Sequence, residues 1–173
     1  MNVLSNLADQ ISIVRANRWK LSQVKPQLAA ACFQIIEYVR SKGHCLVVVQ
    51  GYRPPEIQDW LYERGRSRPG DIIVNDRANE CKYTTGEAVA FGFFNAGSTP
   101  EPFHLINEAA NKLGLICSDG CDVNAPKGQH VEMPSANYVM PTVELVPRFR
   151  ALKIIAAAAV LLALIVILIG LFK

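Results

Sequence analysis

Three histidines and five cysteines are the side chains of this 173-residue chain best suited to holding a metal or to forming a nucleophile–base pair. Cys117 and Cys121 stand in C-x3-C spacing. A structural zinc site built on cysteine normally brings a second such pair, and the sequence holds none. The cysteine number is odd, and Cys32 and Cys45 lie inside apolar stretches, so the pattern favours reduced thiols over a disulfide framework. His44 follows Gly43 in an expected turn, and His104 opens an expected helix; packing or capping suits both better than ligation. Asp119 and Asp122 sit in a loop ahead of His130 and read as solvated carboxylates. The tract QHVEMP sets Glu132 two residues after His130.

Positioning such groups requires a core. Without the apolar run at its C-terminal end the chain supplies roughly one domain's worth of sequence. A net charge of +3 is too small to argue for nucleic acid, and no nucleic-acid partner is expected.

Residues 27–42 predict a helix, with Pro26 suited to its first turn and Gly43 to its end. Leu28, Cys32, Ile35, Ile36 and Val39 recur at spacings of three and four and give one apolar face. CLVVV, residues 45–49, predicts a buried strand broken by GYRPP. A short helix is expected over 56–64, with Trp60 and Tyr62 in core or helix packing and not as ligand platforms, and a short strand over 72–74. Residues 76–85 read as a loop, 87–94 as a strand and 100–113 as a second clear helix. Short strands are expected at 115–117 and 130–133. Helices and strands mix without regular βαβ repetition, so the expected class is α+β with a small mixed or antiparallel sheet.

Residues 154–172 carry no charged or strongly polar side chain. As a helix these 19 residues would span about 28 Å, against a hydrocarbon core of roughly 30 Å. A transmembrane helix is the expectation. Arg148, Arg150 and Lys153 precede it and only Lys173 follows, which favours an N-terminal domain on the cytoplasmic side. The start, MNVLSNLADQISIV, does not read as a signal peptide. The expected organisation is a helical extension over 1–20, a domain over 21–134, a linker with a basic flank over 135–153 and the membrane helix over 154–172.

GYRPPEIQDWLYERGRSRPG, residues 51–70, resembles a segment of the M15 peptidases, which include D-Ala-D-Ala carboxypeptidases and the L-alanyl-D-glutamate endopeptidases used as phage endolysins. The matching residues are Arg53, Gln58, Leu61, Tyr62, Gly65, Arg66, Pro69 and Gly70. CKYTTGEAVAF stands where that family carries S-x-H-x-x-G-x-A-x-D, and QHVEMP resembles its closing PHFEMP. The resemblance covers about residues 21–134. It implies a site in which two histidines and an aspartate hold zinc. The metal lowers the pKa of its bound water to roughly 7, and an acidic residue three positions before the last histidine acts as base.

Gly86 and Ala88 anchor the middle motif without a gap. The first zinc histidine then falls on Tyr83, the zinc aspartate on Ala90 and the preceding serine on Cys81. His130 keeps the last histidine position, and the general-base position is Lys127. Alanine offers no donor, neutral tyrosine is a poor zinc ligand, and a charged lysine repels a dication. The resemblance therefore implies a domain without an intact catalytic set, and no cofactor is expected. Arg53 and Gln58 remain as cleft residues; a guanidinium fork suits a peptide carboxylate, and equally suits tying its own loop to its neighbours. If the family fold holds, Cys81 and His130 come near each other and form a candidate metal or nucleophile–base pair.

Two functions are expected from this. The first is an inactive, membrane-anchored M15-like protein of phage or prophage origin, in contact with the bilayer and with peptidoglycan stem peptides or virion or envelope proteins. It would sit in the host inner membrane or a virion membrane. The alternative is an active, membrane-tethered zinc peptidase of peptidoglycan.

Overall fold

The computed structural model describes residues 3–94, 102–118, 120, 122–123, 129–143 and 145, with side chains from residue 8 onward. In chain order these form α1 (Val3–Leu21), α2 (Pro26–Ser41), β1 (Leu46–Gln50), α3 (Pro55–Tyr62), β2 (Ala88–Phe93), α4 (Phe103–Lys112), β3 (Ile116–Ser118) and β4 (His130–Glu132). The class is α+β. The four strands make one antiparallel sheet in the order β1-β2-β4-β3.

Strand alternation sends successive side chains to opposite faces. One face presents Leu46, Val48, Val89, Phe91 and Val131, all buried, to the apolar stripes of α2 and α4. Leu28, Cys32, Ile35 and Val39 of α2 and Ile106 and Ala110 of α4 complete this core. Burying each large aliphatic or aromatic side chain contributes about 1.5–3 kcal/mol, so this layer fixes the sheet. The opposite face carries Ala88 and Ala90 on β2 beside His130 and Glu132 on β4.

The free edge of β1 is closed by α1. Asn17, 5% exposed, donates its side-chain amide to the Leu46 carbonyl at 3.0 Å and accepts the Val48 amide at 2.8 Å. The Lys20 ammonium caps the carbonyls of Val48 and Val49 at 2.8 Å each. The edge thereby meets side-chain donors and acceptors in place of another strand.

Several expectations change. The strand expected over 72–74 is one bridge, Val74 to Asp122. The second clear helix begins at Phe103, just after Pro102. Trp60 does not pack inward but is 51% exposed, because α3 is short and turns Gln58, not Trp60, into the interior. Tyr62 is only partly buried, between two arginines. Cys81 is disulfide-bonded, against the expected set of reduced thiols, while Cys32, Cys45 and Cys117 are free. Sequence separation concealed that pairing. Among the described residues no helix is long and apolar enough to cross a membrane. The expected membrane helix at 154–172 and its basic flank lie outside the described residues, as do Lys127, Asp119 and Cys121.

Candidate functional site

Ala90 and His130 are direct cross-strand partners in the β2–β4 ladder. Tyr83 enters from the loop before β2 and sets its hydroxyl 2.9 Å from His130 Nδ1. Three positions spread over nearly fifty residues thus meet at one point on the polar face of the sheet. Cys81, Tyr83, Ala88 and Ala90 form a small buried cluster there. The loop reaches the sheet through a turn at Gly86, whose φ of +67° favours glycine and whose carbonyl accepts the Lys25 amide at 2.9 Å.

The hydrogen-bond directions follow from the groups themselves. His130 Nε2 lies 3.0 Å from Glu132 Oε2. An ionised carboxylate can only accept, so Nε2 donates to Glu132, and Nδ1 shares the remaining hydrogen bond with the Tyr83 hydroxyl. Glu132 is held below the usual carboxylate range by its bond from His130 first and by Lys82 next, with burial opposing. Lys82 Nζ bonds Glu132 Oε1 at 2.9 Å and the Met133 carbonyl at 2.8 Å. The result is a continuous chain from Tyr83 through His130 and Glu132 to Lys82.

Tyr83 is 2% exposed and His130 is 3% exposed. Burial pushes the Tyr83 phenol well above its usual range; Asp122 and Glu132 push the same way, and only Arg53 opposes. The phenol therefore remains a donor and not a phenolate. Gly120 closes the remaining side of the imidazole: a Cβ there would lie 2.5 Å from His130 Nδ1. Both ring nitrogens of His130 have hydrogen-bond partners, and Gly120 lies against the ring.

Arg53 joins this centre from the GYR turn. Its amide donates to the Tyr83 carbonyl at 3.1 Å, and its guanidinium stacks 4.9 Å from the Tyr83 ring centroid. The fork is already filled by a carboxylate, with Nη1 and Nη2 donating to Asp122 Oδ1 and Oδ2 at 2.9 and 3.1 Å. Nη1 also donates to Gln58 Oε1 at 2.7 Å, and Nη2 to Gln50 Oε1 at 3.2 Å. Fully buried Gln58 passes its amide hydrogen to the Asp76 carbonyl at 2.7 Å.

Arg53, Gln58, Cys81, Tyr83, Ala90 and His130 therefore belong to one region. The Cys81–His130 pair does not form a nucleophile–base or metal site: the sulfur is in a disulfide, and the imidazole bonds Tyr83 and Glu132. Asp122 is not a solvated loop carboxylate but the partner of Arg53, 31% exposed in its side chain. Sequence reasoning misread Asp122 as solvated and did not single out Lys82 or Gln50. Only Gln50, three residues before Arg53, carried a local signal. His44 packs edge-on against Phe93, and His104 is exposed on α4. Among the described residues no group of three or more histidine, cysteine or acidic side chains is placed to hold a metal ion.

No protein-family model matches this chain. The arrangement suits holding loops together and presenting a fixed surface.

Proposed function

We propose that this chain is a catalytically inactive relative of the M15 peptidases, of phage or prophage origin, held at a bilayer by residues 154–172. Its role is structural or ligand-binding, toward a peptidoglycan stem peptide or a virion or envelope protein. The observation that carries this reading is the meeting of Tyr83, Ala90 and His130. The resemblance assigns those three positions to zinc ligands, and their meeting in one place supports that register. A phenol hydroxyl now satisfies the nitrogen of His130 on that side, which supports a centre converted from coordination to hydrogen bonding. The zinc-dependent peptidase alternative has less support, because His130 offers no free nitrogen.

The basic flank before residue 154 favours insertion with the domain in the cytoplasm. The Cys81 disulfide favours an oxidising setting. A protein inserted from the cytoplasm and then carried in a released particle satisfies both, so a virion membrane fits better than a permanently intracellular one.

The test is the full chain carrying Tyr83→His, Ala90→Asp and Lys127→Glu. It is expected to bind one zinc ion where the unmodified chain binds none. A folded triple variant that takes up no zinc would sink the register and, with it, the proposed ancestry.

A further inference from the structure

The end of α3 carries a surface that the polar centre does not use. Ile57 and Trp60 stand three residues apart and share an exposed face, 49% and 51% exposed. The Arg68 guanidinium lies 4.0 Å from the Trp60 ring centroid and donates to the Trp60 carbonyl at 3.2 Å. Arg64 follows Trp60 by one helical turn and pairs with Arg68 through a backbone bridge. Beside this, Arg66 and Arg77 bracket the Tyr62 ring at 3.8 and 4.6 Å. None of these four arginines forms an ion pair with a described residue. Between Trp60 and Gly70 there are three arginines against one acid, Glu63.

Stacking on a ring holds a guanidinium in place without neutralising it. Tryptophan flanked by arginine and an exposed isoleucine is the combination favoured at a membrane–water boundary, where the ring sits at headgroup level and the cations meet phosphate. Nine peptide units separate Leu145 from Ile154, and fully extended they span no more than about 32 Å. A domain of this size has a radius of gyration near 14 Å. A tether of that reach lets a large part of the domain surface touch a bilayer holding residues 154–172, at high effective concentration.

We propose that the surface formed by Ile57, Trp60, Arg64 and Arg68, with the Arg66–Tyr62–Arg77 stack beside it, docks on an anionic phospholipid surface. The reach argument rests on the membrane reading of residues 154–172; the patch chemistry does not. Docking fixes the orientation of the domain and leaves its opposite side facing away from the membrane.

The full chain with Trp19→Phe leaves Trp60 as the sole tryptophan. It is reconstituted into phosphatidylcholine vesicles with and without phosphatidylglycerol, part of the lipid carrying bromine near the headgroup. Trp60 is expected to be quenched only when phosphatidylglycerol is present, and high salt should reverse the quenching. Arg64→Gln should lower the docked-to-free ratio about fivefold. Co-flotation with both vesicle types while Trp60 stays unquenched would retain the anchor and overturn the docking. Co-flotation only with phosphatidylglycerol, reversed by salt, would overturn the anchor and retain the docking. No co-flotation with either overturns both. Trp60 fluorescence that responds to an oligonucleotide but never to brominated lipid would reassign the patch to nucleic acid and overturn the proposal.

Discussion

The Tyr83 hydroxyl and Nδ1 of His130 are hydrogen-bonded across 2.9 Å, and the two rings meet edge-on with centroids 5.1 Å apart. This contact joins the loop before β2 to β4, and it ties the hydrogen-bond chain of the polar face to the stack of Arg53 on Tyr83. Removing the hydroxyl with Tyr83→Phe keeps the ring and leaves a buried imidazole nitrogen unpaired. The expected loss is about 1–3 kcal/mol of unfolding free energy, read from urea midpoints. An unchanged midpoint would mean that the bond contributes nothing.

Arg53 is 8% exposed, and its charge is balanced by Asp122. Asp122→Ala strands that charge. Breaking a fully buried pair costs about 3–5 kcal/mol and breaking an exposed one close to nothing, so this half-covered pair should cost about 2 kcal/mol. Asp122→Asn keeps one acceptor and should cost less. The same variants test ligand access: if the Arg53 fork binds stem-peptide carboxylates, affinity should appear in Asp122→Ala and vanish again when Arg53→Ala is added.

Asp76 and Glu132 act on the acid limb of stability in opposite directions. Asp76 sits above the usual carboxylate range, through burial first and then repulsion from Glu80, Asp122 and Glu132, with His130 opposing. A raised carboxyl binds more protons folded than unfolded, so its penalty is absent below the unfolded value of about 3.9 and complete above the folded one. Asp76→Asn should therefore raise the urea midpoint at neutral pH and give no gain near pH about 3. Glu132 has the opposite sign. Its stabilisation is complete above the unfolded value of about 4.3 and is lost as pH falls through the lowered folded value. Glu132→Gln should flatten the acid limb.

Cys81 is disulfide-bonded, while Cys32, Cys45 and Cys117 are free thiols. Denatured chain from material alkylated at harvest should react at three cysteines without reductant and at five after reduction. Five thiols without reductant would restore the reduced state that the odd cysteine count suggests, and would favour a cytoplasmic domain.

Long periodic elements were readable from sequence because their signals are local. The apolar spacing from Leu28 to Val39 and the brackets of Pro26 and Gly43 define α2 to within a residue at each end. The run around Val48 gives β1, and its partner β2 follows from small and aromatic residues between Gly86 and Phe94. The polar centre was legible only in part. Arg53, Gln58, Tyr83, Ala90 and His130 could be grouped through the resemblance, but Asp122 could not, since a carboxylate sixty-nine residues from Arg53 looks like any loop aspartate. Asn17 was invisible for the same reason: capping the edge of β1 is a tertiary event with no periodic trace. Trp60 misled because an aromatic residue on a short amphipathic helix ordinarily faces the core.

The most direct measurement of the central claim is the zinc content of the purified full chain after exposure to excess zinc and exhaustive buffer exchange. A centre filled by the Tyr83–His130–Glu132 chain predicts far less than one zinc per protein. One firmly held zinc per protein, lost on His130→Ala, would contradict it and return the chain to the active metallopeptidases.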